Sequence, residues 1–140
     1  MNITRDNYPA AAMRHFIDAE LLKERGRNDN AMCHYAFSAE CVLKSLYELC
    51  SSRSGRALNH GIAEVWEDIK QYYAALGMMD AKTEIILGSE KIPEKLFERH
   101  PGRRYEDDIK YLESEVEQAG RFTGKLVHEL VLGMMDGYVR

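Results

Sequence analysis

The sequence predicts an all-α, up-and-down helical bundle of four to five helices, and three observations carry that prediction. First, Asp29 to Cys50 holds apolar residues at helical spacing for about five turns. Met32, Tyr35 or Ala36, Ala39, Leu43, Leu46 and Cys50 step by three and four and form one stripe that must be buried against other helices. Second, Gly26-Arg27-Asn28-Asp29 leaves so short a connection to the preceding amphipathic stretch that the two must pack as an antiparallel hairpin. Third, no strand-period segment, internal repeat or low-complexity tract interrupts the helical pattern.

Taken in order, Asp6-Asn7 caps a first helix that tolerates Pro9 in its first turn, repeats Met13, Phe16, Ile17 and Leu21 on its inward face, and runs to about Arg25, where Gly26 ends it. The central helix follows. SSRSGRALNHG is a Ser, Gly and Arg-rich loop that delivers His60 to a third helix, Ile62 to about Leu76, whose inward face is Val65, Trp66, Ile69, Tyr72 and Tyr73. Met78 to Leu87 reads as a short helical continuation. Ser89 to Tyr105 is polar and twice broken by proline, a long loop around one helical turn at Pro93 to Glu98. The last helix begins near Glu106, whose acidic run suits a helix N-terminus, and continues through Ile109, Leu112, Val116, Ala119, Thr123, Leu126, Leu130 and Met134. Gly120 and Gly124 inside it each cost about 1 kcal/mol relative to Ala, so they are expected to admit the close approach of another backbone.

A chain of 140 residues fits one domain, 1–140, with a real core. Its 19 Lys and Arg against 23 Asp and Glu argue against a polybasic nucleic-acid binder, so function has to come from a local site. Cys33, Cys41 and Cys50 share one helix without metal-binding spacing and read as small core residues in a reduced, cytoplasmic protein. With no apolar run of eighteen and no apolar leader, neither a membrane span nor export is expected. There is no phosphate-binding glycine loop, no HExxH and no paired-acid metal pattern, so no cofactor and no metal are expected.

The hairpin from Ala11 to Glu48 resembles the opening two helices of HEPN domains (higher eukaryotes and prokaryotes nucleotide-binding domains). Asp18, Gly26, Ala31, Tyr35, Glu40 and Lys44 fall on that pattern. Asn59-His60-Gly61-Ile62 is similar to the start of the family's third helix, with Gly61 where Asp is usual, and Arg104-Tyr105 resembles the Arg-Tyr-Pro of one subgroup, with Glu106 in place of Pro. The resemblance implies a dimeric helical bundle. In many members it is a metal-independent endoribonuclease carrying an Arg, four to six residues, then a His; other members only bind. Cleaving RNA without metal uses the substrate's 2′-hydroxyl as nucleophile, a His to move protons near neutral pH and a cation to hold the phosphate, leaving a 2′,3′-cyclic phosphate.

Arg121 and His128 meet that spacing with six residues between, seven apart on one helix and hence on one face, about 160° from the core stripe. Phe122 stands where the family has a polar residue. The competing reading is a plain solvated helix face. Arg53 and His60 have the same spacing but are split by a loop that fixes no mutual geometry; His60 is also explained as a helix-start histidine bonding a backbone group or the hairpin. Arg99, His100, Arg103 and Arg104, with Tyr105 for stacking, form the densest basic cluster, able to hold a phosphate or base; alternatively it is a solvated loop with Arg104 anchored to an acid such as Glu40. Glu40 and Lys44, four apart, are either a surface pair of about 0.3–0.5 kcal/mol or a partly buried network. The expected function is therefore RNA- or nucleotide-directed, as a homodimeric ribonuclease of toxin or defence type. The alternative is a non-catalytic dimerisation or docking module beside a separately encoded nucleotidyltransferase-type antitoxin partner.

Overall fold

The computed structural model describes residues 6–51, 54–58, 66, 91–106 and 109–135. Among them are three α-helices, α1 (Tyr8–Glu24), α2 (Asn28–Ser51) and α3 (Glu113–Met135), and two 3-10 turns, Gly55–Leu58 and Gly102–Tyr105. No strand occurs among the described residues. The helix expected from Ile62 and its continuation from Met78 lie outside them, as does His60; of that stretch Trp66 is described, helical and buried.

The hairpin forms where its end signals place it. The Asn7 side chain accepts from the Ala10 N–H at 3.0 Å, satisfying one of the amides that a helix start leaves without a partner. At the other end Gly26 takes φ +73°, which lets the Arg27 N–H reach the Leu22 carbonyl at 2.8 Å and the Gly26 N–H reach Lys23 at 3.0 Å. This is a Schellman closure, and it needs a residue free of Cβ at the left-handed position.

Of the inward face expected for α1, Met13 and Phe16 pack against the core, and Ile17 and Leu21 do not. Ala12 and Ala19 are fully buried, with Phe16 and Leu22 beside them, while Ile17 and Leu21 are exposed. Small residues win the contact because α1 lies close enough on α2 for the Ser38 hydroxyl to donate to the Ala12 carbonyl at 2.7 Å. A large side chain there would push the helices apart.

From Ala31 to Leu46 every residue of α2 is buried except the half-buried His34 and Phe37. Its surroundings explain this: α1 and α3 pack on two sides, the 91–106 segment on a third, and Gly55 lies against the Lys44 stem. The predicted stripe is thus part of a helix enclosed nearly all round. Burial pushes the Cys41 thiol up to about 11, with the Glu40 carboxylate adding to the effect. That thiol is held un-ionised at neutral pH, as expected of a core residue.

The last helix starts at Glu113, later than the Glu106 expected. Glu106 is extended, and the chain turns helical only where Leu112 caps: the Leu112 carbonyl accepts from Glu115 at 3.0 Å, and the Leu112 N–H donates to the Glu115 carboxylate at 2.8 Å. This is half of a capping box, placed by Glu115 and not by the earlier acidic run. Among the described residues, Gly120 and Gly124 are met by side chains, not by a second backbone. A Cβ on Gly120 would stand 2.9 Å from the Tyr35 hydroxyl oxygen, and one on Gly124 would stand 3.3 Å from the Phe16 ring. Tyr35 fits there because its hydroxyl donates to Glu20 at 2.5 Å, so one ring from α2 ties α1 and α3 together.

Candidate functional site

The basic loop is held by one of its own arginines. Arg103 is fully buried. Its Nη1 donates to the carbonyls of Lys95 at 2.7 Å and Glu98 at 3.1 Å and to the Tyr111 hydroxyl at 3.1 Å; its Nη2 donates to Met32 at 3.3 Å and to Leu96. The guanidinium fork collects carbonyls that a loop without regular structure would leave unsatisfied inside the protein. This corrects the expectation that Arg103 faces RNA: it is inside because the turns at 94–100 aim their carbonyls inward, and it joins them to α2.

With that anchor in place, the neighbouring residues point out. Arg99 pairs with Glu106 at 2.7 Å. Arg104 is exposed and its guanidinium lies 4.8 Å from the centre of the Tyr105 ring and 5.8 Å from that of Phe37; Tyr105 is itself 77% exposed. An open cation beside an open aromatic face is an arrangement that can hold a phosphate and stack a base.

Beneath it lies a buried polar network. Glu40 and Lys44 are 3.3 Å apart with side chains 6% and 9% exposed, so the surface-pair reading gives way to the buried one. The expected third member, Arg104, is instead turned toward the rings, and His100 Nε2 stands 3.1 Å from the Glu40 carboxylate. Lys44 is also 5.5 Å from the centre of the Tyr8 ring. His100 packs edge-on against Phe37 at 4.6 Å.

Sequence reasoning missed a histidine pair. His15 on α1 and His34 on α2 bring their Nδ1 atoms to 3.0 Å, and His15 stacks on Phe37 at 5.4 Å. Two neutral imidazoles bond this way only in opposite tautomers, one donating at Nδ1 and the other accepting. The hairpin register held the signal, since Ala12 meets Ser38 across the same turn. Burial, then His34 and Arg14, hold His15 below its ordinary 6.5, with Asp18 and Glu40 pulling weakly the other way. As the pH falls below 6.5 the unfolded chain therefore binds this proton before the folded one does. Stability should drop over that window until folded His15 is protonated too. Urea midpoints measured across pH should show the decline in the parent chain and a flatter profile in His15→Phe.

Arg121 and His128 are both exposed on α3, with Lys125 exposed between them. The opposite face, Val116, Ala119, Phe122, Thr123, Leu126, Val127 and Leu130, is buried. Phe122, adjacent to Arg121, packs on Trp66 at 5.7 Å and belongs to the core. The Arg and the His, seven positions apart, are about 10 Å apart along the axis, so with Lys125 between them each chain offers two cations and one imidazole to the same strip of solvent. Arg53 and His60, the other pair of that spacing, lie outside the described residues. Comparison with protein-family models, curated proteins and solved structures finds no match. Among the described residues no helix is long and apolar enough to cross a membrane, and no group of three His, Cys, Asp or Glu is placed to hold a metal ion.

Proposed function

We propose that this protein is a HEPN-like, RNA- or nucleotide-directed cytoplasmic protein of toxin or defence type that cleaves single-stranded RNA as a homodimer without a metal ion. The observation that carries this reading is the outward placement of Arg121 and His128 on one face of α3, away from every residue the core uses. Arg121 holds a non-bridging phosphate oxygen pair, and His128 takes the 2′-hydroxyl proton as that oxygen attacks phosphorus. The 5′-oxygen leaves with a proton given by a second imidazole. Among the described residues of α3 there is one such His, and the second copy is the source of that donor. Arg104 and Tyr105, open beside Phe37, bind the flanking nucleotides.

The test is purified protein incubated with mixed-sequence RNA in EDTA, reading the product ends. Cleavage leaving 2′,3′-cyclic phosphate is expected, slowed by Arg121→Lys because an ammonium cannot grip phosphate through two parallel hydrogen bonds. Cleavage abolished by EDTA would exclude the mechanism. A second reading, a docking module for a nucleotidyltransferase-type antitoxin, is favoured by the apolar Ile17 and Leu21 left open on α1; in it RNA is bound or ignored but never cut.

A further inference from the structure

The outward face of α1 is patterned as a helix-pairing seam. Ala10, Arg14, Ile17, Leu21 and Glu24 are all exposed, and they step by four and three in alternation. That is the heptad spacing that keeps one line of side chains against a partner helix. Ile17 is 58% and Leu21 54% exposed, at the middle of the line. Arg14 and Glu24 flank this pair on either side, and neither has an ion pair or hydrogen bond among the described residues.

These positions have a symmetry that selects the partner. If a second copy of α1 lies antiparallel across a two-fold axis at residue 19, Ile17 falls opposite Leu21 of the other copy and Arg14 falls opposite its Glu24. The same operator repeats both contacts in reverse, as an isologous interface requires. In the parallel arrangement Arg14 would face Arg14 and Glu24 would face Glu24, so these two charges favour the antiparallel direction. The buried line of the same helix, Ala12 and Ala19, is meanwhile spent within the chain.

We propose that two copies of this chain dimerise through α1, antiparallel, with an Ile17–Leu21 centre flanked on both sides by Arg14–Glu24 pairs. The inference rests on the proposed function in expecting a homodimer; the surface it assigns is not the glycine-bearing face of α3, which is filled by Tyr35 and Phe16 of the same chain. A contact one helix long lies at the small end of specific interfaces, near about 1,000 Å² in total, so association belongs in the micromolar range.

The experiment is the mass of the full chain by sedimentation equilibrium at micromolar concentrations, without RNA. The parent chain should be a dimer. Leu21→Glu should be a monomer with unchanged helical circular dichroism, since the residue is 54% exposed. Arg14→Glu should weaken the dimer at least about tenfold by facing Glu with Glu, and adding Glu24→Arg to it should restore the parent affinity. A parent chain that stays monomeric, or a dimer indifferent to Leu21→Glu, overturns the interface. Loss with Leu21→Glu but no rescue by the charge exchange overturns the antiparallel register. Because mass is read without substrate, failure here and failure of the ribonuclease reading are told apart.

Discussion

Arg103→Ala should lower stability by about 3–5 kcal/mol, a large share of the total for a domain of this size. The side chain is fully buried and its two terminal nitrogens serve four carbonyls and the Tyr111 hydroxyl. Removing it takes a donor from each of those acceptors, and a buried group left unsatisfied costs about 1–3 kcal/mol before relaxation. Arg103→Lys should recover little, because one ammonium cannot reach groups arranged around a planar fork. Urea denaturation monitored by circular dichroism measures the change. Because the loop presents Arg104 and Tyr105, any RNA affinity carried there should fall with it.

Glu40→Ala is expected to cost about 3 kcal/mol or more, for a different reason. It leaves Lys44, with a side chain 9% exposed, as a buried cation without the carboxylate 3.3 Å away, and it removes the contact between that carboxylate and His100. The double variant Glu40→Ala with Lys44→Met should regain much of the loss, since a buried pair replaced by apolar groups is often tolerated where half a pair is not. A cost under about 0.5 kcal/mol for Glu40→Ala would mean that the pair is solvated in solution.

These two residues mark where the sequence was and was not legible. The hairpin, its caps and the Gly26 turn could be read because their signals are local: Asn7, Pro9 and Gly26 act within a turn of themselves. The burial of Glu40 and Lys44 could be framed from spacing but not decided, because it depends on the 91–106 segment and on Gly55 folding over α2. Arg103 and Arg104 are adjacent in an identical basic context, yet one is fully buried and the other open; backbone turns, which composition does not encode, separate them. The face of α1 was half right: Met13 and Phe16 pack against the core, but hydrophobicity also points to Ile17 and Leu21, where close packing against α2 favours Ala12 and Ala19. On α3 the outward position of Arg121 and His128 followed directly from the angle between them and the core stripe, since a helix of that length keeps its period.

The outward face of α3 is the centre of the functional account, and His128→Ala tests it most directly. The side chain is exposed, so the variant should keep the fold, checked by its unfolding midpoint, and any dimer the parent forms. Incubated with single-stranded RNA in EDTA beside the parent protein, it should yield no cyclic-phosphate ends where the parent yields them. Cleavage by His128→Ala at the parent's rate would contradict the account.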